Sequence, residues 1–280
     1  MKTNYFSHDD IEIFYETFGD NNDPAVLLIM GACSPGCYWP DEFCQRIVDQ
    51  GYFVIRYDHR DTGCSSAIDF AKNPYNLEIL AQDAIELLGC LEVKKVHLIG
   101  TSMGGYVAQL MTLERPELVF SLSLLTSTFD LSHLGELFVN GRLSNSKLSP
   151  PCDAIVDSLV NHTEIDLVDS WHILHSDAAK FPLDFYQALA AVSYEHNKPG
   201  RDPANHLRAI NKTDFNIAPK LKNIKVPVLV VHGTNDPILP LDHGVALAGA
   251  FDDARFVVVD KMGHMLAPEF WRQILAAFFI

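Results

Sequence analysis

Short apolar runs alternate along this chain with longer stretches whose apolar positions recur at helical spacing. The short runs, Ile11–Phe18, Ala25–Met30, Phe53–Tyr57, Val96–Gly100, Ser121–Leu125, Val226–Val231 and Arg255–Val259, are predicted strands. Several, such as Val226-Pro227-Val228-Leu229-Val230-Val231, are apolar without a break. A strand facing water on one side alternates polar and apolar residues, so an unbroken run fits a parallel sheet covered by helices on both faces. Helices are predicted over Asp41–Gln50, closed by Gly51, and over Leu77–Cys90, opened by Asn76 as N-cap. A third starts at the turn around Ser102 and runs to Arg115, before Pro116. The alternation of the two element types indicates the α/β class.

From about Thr126 to about Lys222 strand signals vanish and helical patterns take over, at Ala154–Val160, Ile165–His175, Leu183–His196 and Asn205–Ile210. The segments between them are rich in Pro, Ser, Asn and Asp. The expected organisation is a core built from residues 1–125 and 223–280, with residues 126–222 inserted as a helical cap. A length of 280 residues suits one α/β unit with an insertion. With 48% hydrophobic residues, such a chain buries about 75% of the surface exposed when unfolded. No disulfide or metal is needed to hold it together.

The charge balance narrows the partners. Lys and Arg total 21 against 36 Asp and Glu, a net charge of −15, and no basic cluster resembles a phosphate-backbone footprint, which argues against nucleic acid. The opening residues lack the apolar stretch of a secretory signal, and no long uncharged apolar run suggests a membrane span, so the expected location is the cytoplasm. Cys33, Cys37, Cys44, Cys64, Cys90 and Cys152 are scattered, as free thiols in a reducing compartment are. Cys33 and Cys37 lack the second pair a structural metal site would use, and no metal is expected. Nothing in the sequence decides between a monomer and a homodimer.

The segment Val96-His97-Leu98-Ile99-Gly100-Thr101-Ser102-Met103-Gly104-Gly105-Tyr106-Val107 is a strand running through G-x-S-x-G into a helix. A serine on such a sharp turn stands above the carboxyl ends of the strands, where open α/β sheets place their ligands. The turn crowds neighbouring backbones, so Gly100 and Gly104 meet a steric demand. A serine hydroxyl needs a base, and the base needs a group to orient it. Asp236 follows the penultimate predicted strand and His264 follows the last, putting both at the same sheet edge as Ser102. The order Ser, Asp, His is that of hydrolases with this turn. Asp130, beyond the strand that follows the nucleophile, is the alternative acid. An oxyanion requires two backbone donors: Met103 at the helix N-terminus is the first, and Ala32 the second, with Gly31, Cys33 and Ser34 as neighbouring alternatives.

Together with these segments, Arg56-Tyr57-Asp58-His59-Arg60-Asp61-Thr62-Gly63-Cys64-Ser65 resembles the Asp-x-Arg-Gly-x-Gly-x-Ser turn of the α/β-hydrolase superfamily, with Asp61 where glycine is usual. With Trp39-Pro40-Asp41-Glu42-Phe43 it is most similar to the branch containing the aclacinomycin methylesterases, which remove a methyl ester from a polyketide. The resemblance spans the chain and implies a mostly parallel eight-stranded sheet, helices on both faces and a helical cap. It departs at Met30-Gly31, where many members have His-Gly, and the cap shows no residue-by-residue match.

The resulting expectation is a serine esterase acting through an acyl-enzyme on small or medium apolar esters, methyl esters among them, without a cofactor. Acyl transfer, perhydrolysis or carbon–carbon cleavage with the same triad remain alternatives, as does a ligand-binding protein without turnover. Asp58, His59, Arg60 and Asp61 read as a charged turn that pairs locally and braces the loops. His172 and His175 are too few to make a metal site. Phe129, Trp171 and Tyr186, with Phe138 and Phe185, either line a pocket or form the core of the cap.

Overall fold

The structure is a computed structural model that describes residues 1–8, 10–162 and 165–278. In chain order its elements are β1 (Lys2–His8), β2 (Ile11–Phe18), β3 (Ala25–Ile29), α1 (Asp41–Val48), β4 (Phe53–Tyr57), α2 (Leu77–Cys90), β5 (Val96–Thr101), α3 (Met103–Glu114) and β6 (Val119–Leu125). Then come α4 (Ser132–Asn140), α5 (Asp153–Asn161), α6 (Leu167–His175), α7 (Leu183–His196), α8 (Asn205–Asn211) and α9 (Ala218–Leu221). The chain closes with β7 (Val228–Gly233), α10 (Leu241–Gly249), β8 (Ala254–Val259) and α11 (Pro268–Phe278).

The strands form one eight-stranded sheet in the order β1-β2-β4-β3-β5-β6-β7-β8. The β1–β2 and β2–β4 pairs are antiparallel and the others parallel. Successive side chains of a strand point to opposite faces, and both faces are buried here. In β3, Ala25, Leu27 and Ile29 pack with α2 and α3, while Val26 and Leu28 pack with α1 and α11. This two-sided burial is why the strand sequences are apolar without alternation.

Five of the seven predicted helices and five of the seven predicted strands begin and end within one residue of where the pattern put them. Asn76 caps α2, its Oδ1 accepting the Ile79 N–H at 3.3 Å. The penultimate strand starts at Val228 instead of Val226, because Pro227 has no N–H for an interior ladder and stays at the strand's entrance. Strand β1 escaped prediction. Its residues are mostly exposed, so it carries no apolar signal, and its register against β2, Lys2 opposite Thr17 through His8 opposite Ile11, comes from backbone pairing. Helices α4, α9, α10 and α11 were likewise unpredicted.

Between β6 and β7 the described residues contain only helices and loops. These helices share the core's buried clusters: Leu134, Ala209, Ile210 and Leu221 join the α2–α3 side, and Trp171, Tyr186 and Leu189 join the α1–α11 side. No helix among the described residues is long and apolar enough to cross a membrane. All six cysteines are unpaired.

The C-terminus of α7 is also tied to the core by polar contacts. His196 Nε2 lies 2.7 Å from Asp58 Oδ2, and Cys64 Sγ donates to the His196 carbonyl at 3.1 Å. Burial opposes a charge on His196, but the hydrogen bond and the charge of Asp58 outweigh it and raise the histidine's pKa. A pKa raised by folding contributes stability that is complete below the unfolded value of ~6.5 and is lost as pH rises through the folded value. Thermal stability of the wild type is therefore expected to fall more steeply from about pH 6 to about pH 8 than that of His196→Gln, whose side chain does not titrate. Parallel melting-temperature profiles for the two proteins would show that the contact contributes no such stability.

Candidate active site

The sheet's first strand-order reversal lies between β3 and β5, and the loops leaving their carboxyl ends open a crevice there. Ser102 sits in that crevice, between the end of β5 and the first turn of α3, with φ 52° and ψ −124°. An L-residue rarely adopts this conformation, which persists only where the surroundings enforce it. Here they do. The Ser102 N–H donates to Leu125 O at 3.0 Å, and its carbonyl accepts from Ser127 Oγ at 2.8 Å. A Cβ on Gly100 would overlap the Gly104 carbonyl, and one on Gly104 would overlap the carbonyls of Ile29 and Met30. The glycines demanded by steric reasoning are thus demanded in fact, by backbone that cannot move aside.

The end of β7 delivers Asp236 and the end of β8 delivers His264. His264 Nδ1 lies 2.7 Å from Asp236 Oδ2. A carboxylate only accepts, so the proton is on Nδ1, and Nε2 is left with its lone pair. The other carboxylate oxygen accepts the N–H groups of Ile238 and Leu239 at 3.0 and 2.9 Å. Burial of Asp236 favours its neutral form, but His264, His232 and the Leu239 N–H outweigh that and hold its pKa below the usual carboxylate value. His232, 3.5 Å from Asp236 Oδ2, is a neighbour that sequence reasoning missed. Asp130 does not reach His264; its Oδ1 accepts the Ser132 N–H instead.

The His264 loop is also held from the segment between β6 and β7. The His264 N–H donates to Leu174 O at 2.7 Å, and Gly263 is packed so closely on the carbonyls of Leu174 and His175 that a Cβ would overlap both. The C-terminal end of α6 therefore fixes the backbone that carries the imidazole.

The loop after β3 adjoins Ser102: a Cβ on Gly31 would stand 3.1 Å from the Ser102 Cβ. Within it the Cys33 N–H is committed to His206 Nδ1 at 2.9 Å, which removes Cys33 as an oxyanion donor. Among the described residues no hydrogen bond engages the N–H of Ala32 or of Met103. Both amides are free to receive a developing negative charge.

Comparison with known proteins places the fold. A family pattern described as the alpha/beta hydrolase fold matches residues 24–270. The chain belongs to the alpha/beta hydrolase fold family. It is 32% identical to a rhodomycin D methylesterase of Streptomyces peucetius over 95% of this chain and 93% of the relative, and equally so to that of Streptomyces sp. strain C5. Among solved structures it resembles the 2-hydroxy-6-oxo-6-phenylhexa-2,4-dienoate hydrolase of Rhodococcus sp. strain RHA1, at 20% identity and a TM-score of 0.76, with 98% of this chain and 96% of the other covered. That likeness is one of fold.

In this alpha/beta hydrolase, Ser102 and His264 line one cavity of about 340 Å³. Ala32, Trp171 and Tyr186 line it as well. Trp171 and Tyr186 are also buried in the core, so the two readings of these aromatics are compatible. Phe129 is not part of the lining; it packs on the α2–α3 side of the core. Tyr38, Leu134, Leu207, Ile238 and Met265 complete much of the wall and were not foreseen. They come from five separated stretches, two of them the helices α4 and α8, and local periodicity does not tell an apolar residue facing a cavity from one facing the core.

The charged turn braces the site, as its composition suggested. Asp58 accepts the N–H groups of Gly36 and Cys64, and Arg60 makes a bidentate pair with Asp83 at 2.7 and 2.6 Å. Asp61 adopts φ 68°, the conformation for which glycine is usual, and its carboxylate accepts the Ile68 N–H and the Tyr75 hydroxyl. Among the described residues, the group of donors close enough to hold a metal is Asp58, Cys64 and His196. Each is already engaged in the hydrogen bonds that tie α7 down. His172 is half-exposed near Asp177, whereas His175 is buried against Tyr186 and Phe181.

Proposed function

We propose that this protein hydrolyses carboxylic esters of neutral, apolar acids through an acyl-enzyme. Ser102 attacks the ester carbonyl as His264 Nε2 takes its proton, and the oxyanion is received by the N–H groups of Ala32 and Met103. The carbonyl re-forms, the alcohol leaves with the proton from His264, and a water activated by the same imidazole frees the acid. Asp236 holds the imidazole in the tautomer that leaves Nε2 able to accept. The reading rests on one observation above all: an Asp236–His264 pair on the wall of the cavity that Ser102 also lines.

Among the described residues, the cavity wall contains no Asp, Glu, Lys or Arg. A substrate with a carboxylate near its ester would leave water without a cation to meet it, at a cost of several kcal/mol. The dienoate in the name of the Rhodococcus neighbour is such an anion, which separates its chemistry from that favoured here. The methylesterase names of the curated relatives point the same way as the apolar wall, toward a neutral ester with a small alcohol.

p-Nitrophenyl butyrate and mono-p-nitrophenyl succinate differ in a methyl group replaced by a carboxylate. The butyrate is expected to have a kcat/KM at least about 100-fold higher, equivalent to ~2.7 kcal/mol. Equal values would remove the neutral-substrate reading, and release of nitrophenol without free butyric acid would remove hydrolysis.

A further inference from the structure

Two buried histidines, His59 from the turn after β4 and His206 from α8, stand behind the loop that follows β3, their rings 5.6 Å apart and nearly perpendicular. Each has one hydrogen bond to a backbone carbonyl, and those partners fix both tautomers. His59 Nε2 lies 3.1 Å from Met30 O, so that nitrogen carries the proton. His206 Nε2 lies 2.8 Å from Arg60 O and carries its proton for the same reason. That leaves His206 Nδ1 bare, and it accepts the Cys33 N–H at 2.9 Å. Burial pushes the pKa of His59 down to about 3 and lowers that of His206, so both rings stay neutral.

The loop is thereby held on both sides of one peptide unit. The carbonyl of residue 30 is tied by His59 and the amide of residue 33 by His206, while Cys33 Sγ donates to Pro203 O at 3.2 Å. Cys33 takes φ 62°, a conformation a non-glycine residue keeps only when contacts enforce it. Between the two ties lies the amide of Ala32. Both ties are made with backbone groups by buried side chains, so the direction of the Ala32 N–H is set before substrate arrives.

We infer that His59 and His206 are positioning residues for the oxyanion donor, a bracket joining the β4 turn and the inserted segment to the loop after β3. The inference rests on the esterase reading, since it assigns the Ala32 N–H a part in that reaction. The helices between β6 and β7 then do more than roof the cavity. One of them supplies a group that preorganises the transition-state site.

Substitution of His206 by asparagine and by glutamine separates the two ends of its ring. An asparagine oxygen occupies about the place of Nδ1 and can still accept the Cys33 N–H; a glutamine amide occupies about the place of Nε2 and keeps only the tie to Arg60 O. Loss of an oxyanion donor costs about 10²- to 10³-fold in kcat, so a misdirected one is expected to cost about 30-fold. With p-nitrophenyl butyrate, His206→Gln should lose that much in kcat with KM changed less than about threefold, and His206→Asn should recover most of it. His59→Leu should behave as His206→Gln. The affinity of a trifluoromethyl ketone, whose adduct carries an oxyanion, should fall in step with kcat/KM.

Equal activity of the two His206 variants, or a loss confined to KM, would overturn the inference. A Gln variant that melts far below the Asn variant would assign the bracket to stability alone. Failure of the esterase reading is distinct: wild-type turnover would then be absent or would persist in Ser102→Ala.

Discussion

Ser102→Ala is expected to lower kcat for p-nitrophenyl butyrate by about 10⁶-fold, to the small remainder that binding and oxyanion donors supply alone. The change removes one oxygen that no hydrogen bond within the described residues engages, so the fold should not register it. The backbone contacts of Ser102, to Leu125 O and from Ser127 Oγ, are kept, and so is the overlap that makes Gly100 and Gly104 necessary. Melting temperature should stay within about 2 °C of wild type while turnover vanishes. A variant that retained a tenth of the wild-type rate would show that the hydroxyl is not the nucleophile, whatever its position on the turn.

Asp236→Asn should cost about 10⁴-fold in kcat, because an amide can donate to the imidazole and so stabilise the wrong tautomer, with the proton on Nε2. The substitution strikes a group buried in the protein with four partners: His264, His232 and the N–H groups of Ile238 and Leu239. Part of the loss could arise from the fold, and circular dichroism with a thermal scan separates that from the chemistry. Asp130→Asn is the matched control: its carboxylate caps the Ser132 N–H away from His264, and its expected effect on kcat is under about twofold. A large loss in Asp130→Asn with a small one in Asp236→Asn would exchange their roles.

The most legible features were those in which one local steric or chemical demand leaves few residue types. The turn at Ser102 is an example, because the approach of Gly104 to Ile29 and Met30 admits no side chain. The placing of Asp236 and His264 just past strands was legible for a similar reason: parallel strands deliver their following loops to one edge, so chain order predicts proximity. Buried strands such as β7 advertised themselves by unbroken hydrophobicity. Strand β1, exposed and polar, had nothing to advertise and exists because its backbone finds a partner in β2.

Phe129 marks where local reading fails. An aromatic residue past a strand end can turn toward the cavity or the core, and only the packing of α2 and α3 sent it to the core. The His206–Cys33 contact spans 173 residues, and α6 reaches across to the His264 backbone in the same way. By itself the sequence determined the α/β core, the glycine-bounded turn at Ser102 and the placing of Asp236 and His264 past the last two strands, since each follows from strand polarity and close backbone contact. The tertiary structure alone decided which amide stays free beside Ser102, which helix holds the imidazole loop and which side chains wall the cavity. Those depend on distances between segments far apart in the chain, which hydrophobic periodicity does not encode.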